Sequence, residues 1–234
     1  MGILYVVATP IGNLKDITLR ALEVLRSVDL ILTEDTRVAK KLLDHYGIKK
    51  PLLSYHQHSK LERINEIVQL LRSGKNLALI SDAGTPGISD PGGKLIEKLK
   101  ENLKEIKIVP IPGPSAIVAA ASVSGFPMDR FLFLGFCPKK KKRKKFFNEV
   151  LSSKYPVIFY ESPHRLIKTL TELSSMAKIL NLRVKIVIAK ELTKKFETIF
   201  RGEIEKVIEQ LQKEKIKGEF VLIVKTESNL LKKH

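Results

Sequence analysis

The sequence alternates short apolar runs with amphipathic segments from its first residues almost to its last. Runs such as Ile3–Ala8 and Leu30–Thr33 have the length and composition of buried strands. The amphipathic segments at 37–46 and 61–73 are predicted helices, and each is followed by a glycine that can end a helix, Gly47 and Gly74. Strands that alternate with helices in this way predict an α/β fold with a parallel sheet in the first half.

The segment PIPGPSA, residues 110–116, interrupts this alternation. Its closely spaced prolines and glycine cannot continue a strand or a helix, so we expect a turn or an interdomain connection there. We therefore predict two α/β domains, 1–111 and 112–234. In the second domain, strands outnumber helices, which predicts a mixed sheet. Ser115 is predicted to cap a helix that ends at Ser122, and Ser162 to cap another that has Pro163 at its first position.

The longest apolar runs are far too short to span a bilayer, and the N-terminus MGILYVVATP lacks the pattern of an export signal. We expect a soluble, cytoplasmic protein with no membrane partner. The single cysteine, Cys137, excludes an internal disulfide and a cysteine metal cluster.

The formal net charge is +17, and its excess is uneven, since 25 of the 42 basic residues but 12 of the 25 acidic ones follow residue 110. Such a charge favours polyanionic partners or anionic surfaces. A lysine-rich surface without a functional meaning is the alternative.

Three loops rich in glycine and small residues follow predicted strands: ATPIGN, SDAGTPGISDPG and PIPGPSA. Ligands of open parallel sheets bind at the carboxyl ends of the strands, and small residues let a ligand approach the backbone there. The loops match neither the Walker A pattern nor the dinucleotide-binding G-x-G-x-x-G, and no G-x-S-x-G of a hydrolase is present. The alternative is that they are only tight turns.

Several of these segments together resemble a known family. The sequence contains, in order, TPIGNLKDIT, TEDTR, SYHQH, SDAGTPGISDPG, PIPGPSA, FYESPHR, AKELTKKFE and KGEFVLIV. They are similar to motifs of the tetrapyrrole methylase family, and to its ribosomal RNA-modifying members in particular. The resemblance implies two α/β domains that hold S-adenosylmethionine in the cleft between them. It also implies 2'-O-methylation of a cytidine, position 1402, in 16S rRNA of the small (30S) ribosomal subunit, and a homodimer. The chain ends soon after KGEFVLIV, so we expect it to lack a C-terminal extension that some relatives have.

By the same resemblance, the cofactor would contact residues in five segments. The predicted cofactor-binding residues are Pro10, Ser81, Gly84, Thr85, Pro86, Gly87, Ile88, Ser89, Asp90, Ser115, Ala116, Phe159, Tyr160, Glu161, Ser162 and Ala189.

Transfer of a methyl group to a ribose hydroxyl requires alignment of the reactants and loss of the hydroxyl proton, and it requires no metal. Glu191 follows a predicted strand and is a candidate base, with Lys190 beside it to tune its charge. Asp35 is a second candidate, and the segment containing Glu161 and His164 is a third. Each has a structural alternative: Glu191 paired with a lysine, Asp35 capping the next helix, and His164 in a solvated first turn.

The run KKKKRKK, residues 139–145, places seven cations in succession. Their mutual repulsion disfavours a packed structure and predicts a mobile arm that binds the phosphates of single-stranded RNA. A solvated charge run or a sorting signal is the alternative. The predicted RNA-binding residues are Arg37, His164, Arg165, Lys139, Lys140, Lys141, Lys142, Arg143, Lys144 and Lys145.

His56 and His58 alternate along a predicted strand, but a third metal ligand is not evident, so substrate or structural hydrogen bonding is favoured over a metal site. Two other functions stay open at this point. One is a methylase acting on a small porphyrin-like ring, against which the lysine run argues. The other is a non-enzymatic protein that binds RNA without binding the cofactor.

Overall fold

The structure is a computed structural model that describes residues 1–56, 61–90 and 92–228. It divides into two compact units, Met1–Ser115 and Ala116–His234. Within the described ranges, no helix combines the length and the apolar character that crossing a membrane requires.

The first unit is a parallel sheet between two layers of helices. Its strands lie in the order β3-β2-β4-β1-β5, and every pair is parallel. The elements are β1 (Ile3–Val7), a 3-10 turn (Leu14–Asp16), α1 (Leu19–Ser27), β2 (Leu30–Thr33), α2 (Thr36–His45), β3 (Leu52–Ser54), α3 (Leu61–Arg72), β4 (Leu77–Leu79), α4 (Gly92–Asn102) and β5 (Lys107–Ile111).

Both faces of this sheet are buried, because successive side chains of a strand point to opposite faces. Ile31 packs with α1 and α2 on one face, and its neighbour Leu32 packs with α3 and α4 on the other. Neither side chain has any exposed surface. In the central strand, β4, every residue is buried. This burial explains why the apolar runs that predicted the strands are continuous.

The second unit contains the predicted mixed sheet, in the order β6-β7-β10-β8-β9. Strands β6 and β7 are parallel, and the other three pairs are antiparallel. The elements are α5 (Ala116–Ser122), β6 (Leu132–Phe136), α6 (Arg143–Ser152), β7 (Val157–Glu161), α7 (Leu166–Ile179), β8 (Leu182–Lys190), β9 (Thr198–Glu203), α8 (Ile204–Gln212) and β10 (Phe220–Ser228).

Helices cover the two faces of the second sheet unequally. Helices α6, α7 and α8 pack on one face around Phe159, Ile188 and Leu222. On the other face, α5 packs against Ile158, Val187 and neighbouring residues. A mixed sheet permits this arrangement because its antiparallel strands do not each need a crossover helix.

Two sequence predictions in the second unit are wrong. The helix predicted to begin at Pro163 with Ser162 as its cap begins instead at Leu166, and residues 163–165 form a turn in which the Arg165 amide donates to the Ser162 carbonyl (3.1 Å). Residues 139–145 do not form the predicted mobile arm, because the last three of them begin helix α6.

The first residue of α4 is packed too closely for any side chain. A Cβ atom at Gly92 would lie 2.9 Å from the backbone nitrogen of Gly87 and 3.2 Å from Cδ2 of Leu79. The glycine therefore lets helix α4 approach the loop that follows β4.

We expect Gly92→Ala to lower the free energy of unfolding by about 1–3 kcal/mol, because backbone must move to make room for the methyl group. The matched control is Gly93→Ala, where a Cβ would meet no atom within 4 Å. The control should be neutral or stabilising by up to about 1 kcal/mol, since alanine is the better helix former. Urea unfolding of both variants measures the difference, and equal destabilisation would contradict this explanation of Gly92.

Candidate active site

Three loops meet at the carboxyl edge of the first sheet, as the sequence predicts. The loops after β1 and β4 are joined by paired backbone hydrogen bonds, in which Thr9 N donates to Gly84 O (2.9 Å) and Gly84 N donates to Thr9 O (3.1 Å). The Thr9 hydroxyl also donates to the Ser81 carbonyl (3.1 Å). The loop after β5 joins them, because the Thr85 hydroxyl donates to the Pro114 carbonyl (3.2 Å). The predicted residues Pro10, Ser81, Gly84 and Thr85 therefore belong to one connected group.

The loop after β4 contains three residues with left-handed backbone. Gly84 and Gly87 have φ angles of 82° and 87°, and Ser89 has a φ of 63°, which is uncommon for a residue with a side chain. Ile88 and Ser89 are exposed beyond the buried Pro86. Left-handed backbone at Gly87 and Ser89, around the exposed Ile88, suits a ligand held through main-chain atoms.

Carboxylates give this edge a negative potential. Burial raises the pKa of Asp90 to about 6, opposed by a hydrogen bond with Ser81 and assisted by the charges of Glu34 and Asp82. A carboxyl group whose ionisation is resisted by burial and neighbouring anions becomes easier to ionise beside a cation. The loop therefore fits a cationic ligand with polar edges, such as a sulfonium nucleoside.

Asp35 is engaged at the start of α2, as the structural alternative predicts. Its carboxylate accepts from the backbone nitrogen of Arg37 (2.8 Å) and from Nη2 of the Arg37 guanidinium (2.6 Å). These hydrogen bonds hold the pKa of Asp35 well below its usual range. A carboxylate so stabilised is a poor proton acceptor at neutral pH. Arg37 itself is largely exposed, although Asp35 occupies its guanidinium.

An open groove of about 400 Å³ lies beside this pair, lined by residues that include Asp82, Ser54 and His56. The Ser54 hydroxyl and Nε2 of His56 are 2.7 Å apart, which fits the predicted hydrogen-bonding role of His56. His58 lies outside the described residues.

In the second unit, the FYESPHR segment surrounds a buried carboxylate. The side chain of Glu161 has no exposed surface. Its Oε1 accepts from the Ser162 amide (2.7 Å) and from Nη2 of Arg165 (2.5 Å), and its Oε2 accepts from the Thr169 hydroxyl (2.6 Å). Glu161 and Arg165 therefore stabilise the turn that leads into α7, and the Arg165 side chain, predicted to bind RNA, is only partly exposed and is engaged by Glu161. His164, between them, is exposed.

Arg143 completes the buried cluster, which corrects the prediction that it binds RNA in a mobile arm. Its guanidinium donates to the Thr169 hydroxyl (2.9 Å), to Glu172 Oε2 (2.9 Å) and to the Pro138 carbonyl (2.8 Å). It also lies over the ring of Phe147, 5.0 Å from the centroid. The charge run can pack here because the fifth of its seven cations, Arg143, is held by these acceptors and by the charge of Glu172.

The other six cations of the run remain exposed. Lys139–Lys142 form a short loop that is closed at its base by the bond from Arg143 to Pro138, and Lys144 and Lys145 lie on the surface of α6. The bonds of Arg143 therefore fix the position of the segment that carries these lysines.

Cys137 lies against this cluster. Burial raises the pKa of its thiol to about 11, and the negative charge of Glu161 adds to the effect while Arg143 opposes it.

The remaining cofactor candidates, from Ser115 onward, differ in accessibility. Phe159 and Ala189 are buried in the two cores and paired within the sheet, so neither is exposed for contact with a ligand in this unit. Tyr160 is partly exposed and packs edge-on against Phe133, with ring centroids 5.3 Å apart. Ser115 and Ala116 are partly exposed, and Ala116 begins α5.

Glu191 directly follows β8, as predicted, but its partner is not Lys190. Its Oε1 accepts from Nζ of Lys194 (2.9 Å) and from the backbone nitrogen of Glu219 (2.9 Å). These bonds outweigh the effect of burial, which acts in the opposite direction, and lower the pKa of Glu191. Lys190 donates instead to Glu214 (2.8 Å). The geometry favours the structural alternative for Glu191, whose left-handed backbone (φ 52°) these contacts hold in place.

Sequence reasoning missed two features of the site. It assigned Asp90 only to cofactor contact, although a carboxyl group flanked by glycines after a buried strand could have suggested a perturbed pKa. It also read Arg143 as one of seven equivalent cations. The apolar pair Phe146–Phe147, which follows at once and is buried, was the signal that a packed helix begins there.

Comparisons with known proteins agree with this architecture. The family of tetrapyrrole (corrin/porphyrin) methylases matches residues 3–208 of the chain. The chain is 46% identical over 224 residues to the ribosomal RNA small subunit methyltransferase I of Thermotoga maritima, covering 96% of this chain and 98% of that protein. It is 47% identical to the protein of the same name from Bacillus subtilis, covering 98% of this chain and 77% of that protein.

Solved structures of lower identity share the fold. A diphthine synthase superimposes with a TM-score of 0.71 at 14% identity, covering 95% of this chain and 89% of that one. A uroporphyrin-III-C-methyltransferase from Thermus thermophilus gives a TM-score of 0.64 at 18% identity, covering 96% and 94%.

We expect Arg143→Met to lower the free energy of unfolding by about 3 kcal/mol, because removing one member of a buried ionic cluster leaves its partners without compensation. Lys144→Met is the matched control: it removes one positive charge from the next, exposed residue and should change stability by less than about 0.5 kcal/mol. Thermal and urea unfolding of both variants make the comparison. Equal stability of the two variants would show that the cluster contributes nothing.

Proposed function

The chain belongs to the tetrapyrrole (corrin/porphyrin) methylase family, and from that premise we propose that it methylates ribosomal RNA of the small subunit. The observation that carries the proposal is the 46% identity to a ribosomal RNA small subunit methyltransferase I over nearly the whole length of both chains. Following the resemblance of its motifs, we propose the 2'-hydroxyl of cytidine 1402 in 16S rRNA as the acceptor. A cytoplasmic homodimer is the form we propose for the enzyme.

S-adenosylmethionine, when bound, supplies a methyl group that is already activated by the adjacent sulfonium. Two features of the first unit, its loop backbone and its negative charge, support the binding of this cofactor. Peptide groups of Gly87–Ser89, where the loop reaches the surface, can hold a nucleoside and an amino acid through the main chain. The negative charge of Glu34, Asp82 and Asp90 favours a cation at the same edge.

The chain must also accept the proton of the ribose hydroxyl, and we propose that Asp90 does so. A general base works best when its pKa lies near the operating pH, and the pKa of Asp90 is raised to about 6. The pKa values of Asp35 and Glu191 are lowered, and hydrogen-bond donors occupy both carboxylates. We assign these two residues to holding their loops, with Lys190 anchoring the end of β8 through Glu214.

The exposed lysines support an RNA substrate. The buried cluster around Arg143 holds in place the segment that carries six exposed lysines, Lys139–Lys142, Lys144 and Lys145. None of these lysines forms an ion pair with a described carboxylate. A cationic loop of this kind positions a phosphate backbone without reading its sequence. The exposed His164 and Arg37 are further candidates for RNA contact.

The experiment that tests the function uses purified protein and S-adenosylmethionine labelled in its methyl group. The protein is incubated separately with bare 16S rRNA and with assembled 30S subunits, and the label is mapped by nuclease digestion. We expect one labelled nucleotide, a 2'-O-methylcytidine. Label on another ribose or on a base would overturn the proposed acceptor, and no label on either substrate would overturn the function.

We expect kcat/KM to rise with pH through about pH 6, since the base must be ionised to accept a proton. Asp90→Asn should abolish this rise and reduce kcat/KM by about 10²-fold or more. Glu191→Gln is the matched control, because it makes the same carboxylate-to-amide change at a hydrogen-bonded position. It should keep the inflection near pH 6. A Glu191→Gln enzyme without activity, beside an active Asp90→Asn enzyme, would assign the base to Glu191 instead.

A further inference from the structure

A second cationic site lies at the opposite end of the second sheet from the candidate residues. A groove of about 310 Å³ opens where β6 and β7 begin, and Arg130, Lys154 and Lys225 line it. Asp129 is the acidic residue in its wall. The groove directly precedes Val157, whereas Glu161 and Ser162 lie at the other end of β7, roughly 15 Å away along a strand of this length.

A tyrosine organises two of the three cations without neutralising them. Arg130 Nη1 donates to the Tyr155 hydroxyl (3.1 Å), and the guanidinium carbon lies 5.9 Å from the centroid of the Tyr155 ring. Nζ of Lys154 lies 5.0 Å from the same centroid. These contacts fix the positions of the charges, while the phenol brings no compensating negative charge.

Lys225 adds a third positive charge at an unfavourable position. It pairs across the sheet with Lys185, and like charges directly opposite each other destabilise a sheet. The nearby Glu227 bonds Lys185, with Nζ and Oε1 2.9 Å apart, and so partly compensates that lysine. No ion pair reaches Lys225 from any carboxylate that the structure describes.

Arg130 and Lys154 also lack such an ion pair among the described residues. Other cations of this unit form ion pairs, as Arg165 does with Glu161 and Lys190 with Glu214. Three cations in one groove, two of them held by Tyr155, concentrate a positive potential where a bound anion would relieve their repulsion. The groove is also concave, so it can contact an oxyanion from several sides.

We propose that this groove binds the phosphodiester backbone of the ribosomal RNA substrate at the end of the second sheet opposite Glu161 and Ser162. The inference rests on the proposed function for the identity of the RNA. A polymer can reach both ends of the second sheet, whereas a small substrate bound at one end cannot. The groove would thus extend the footprint of the protein and contribute to affinity without reading sequence.

The test compares three variants of the full chain that bind 16S rRNA transcribed in vitro, without cofactor, across a series of salt concentrations. The groove variant carries Arg130→Gln, Lys154→Gln and Lys225→Gln. The charge-matched control carries Lys100→Gln, Lys104→Gln and Lys206→Gln, three exposed lysines outside both cationic regions. The third variant replaces Lys139–Lys142 by glutamine and serves as the reference for a loop already proposed to bind RNA.

We expect the groove variant to reduce the magnitude of the slope of log K against log salt by about 2, since each lost phosphate contact on single-stranded RNA changes it by roughly 0.7. The charge-matched control should retain most of the slope. If the groove variant and the control have equal slopes, the groove proposal is overturned. Far-ultraviolet circular dichroism and the melting temperature verify that each variant is folded.

Methyl transfer by the unmodified protein is measured in parallel, so that the two proposals fail separately. If the unmodified protein transfers the methyl group, but the groove variant and the charge-matched control bind RNA with equal salt slopes, only the groove proposal is overturned. A selective loss of RNA affinity in a protein that transfers no methyl group supports the groove and overturns the proposed reaction. If the unmodified protein does not bind 16S rRNA at low salt, the groove proposal is overturned whatever the transfer assay shows.

Discussion

The burial of both faces of the first sheet is the constraint on which the arrangement of its chemistry depends. Leu32 and Ile31 point into opposite cores, so no central strand residue of this unit can present a functional side chain. The functional groups of this unit therefore lie in the loops at the carboxyl edge. Paired hydrogen bonds between Thr9 and Gly84 bring two of these loops together. Small residues in these loops then determine how closely a ligand can approach the backbone.

The two units have complementary electrostatic roles. The edge of the first collects Glu34, Asp82 and Asp90, and their mutual repulsion favours a cation. The second carries most of the excess positive charge, and it buries only those cations that find acceptors, as Arg143 does. A cationic cofactor and a polyanionic substrate thus have separate regions of attraction. This division explains how a strongly basic chain can still favour a positively charged ligand.

The sequence predicted the order and type of most elements, because the strands are buried runs and two helices carry clear end signals at Gly47 and Gly74. It failed where tertiary contacts override local pattern. The YESPHR segment has the cap and proline of a helix start, yet Glu161 draws the Ser162 amide and Arg165 into a turn before Leu166. Likewise, no local rule shows that Thr169 and Glu172, more than twenty residues further along the chain, would neutralise Arg143.

The burial of Cys137 beside Glu161 has a practical consequence. With its pKa raised to about 11, roughly one thiol in 10⁴ is ionised at pH 7, and alkylating reagents act on the thiolate. The chain has no other cysteine. A cysteine introduced at any exposed position would therefore react selectively with a maleimide dye or a spin label, and the folded protein can carry a single spectroscopic probe without first removing a native residue.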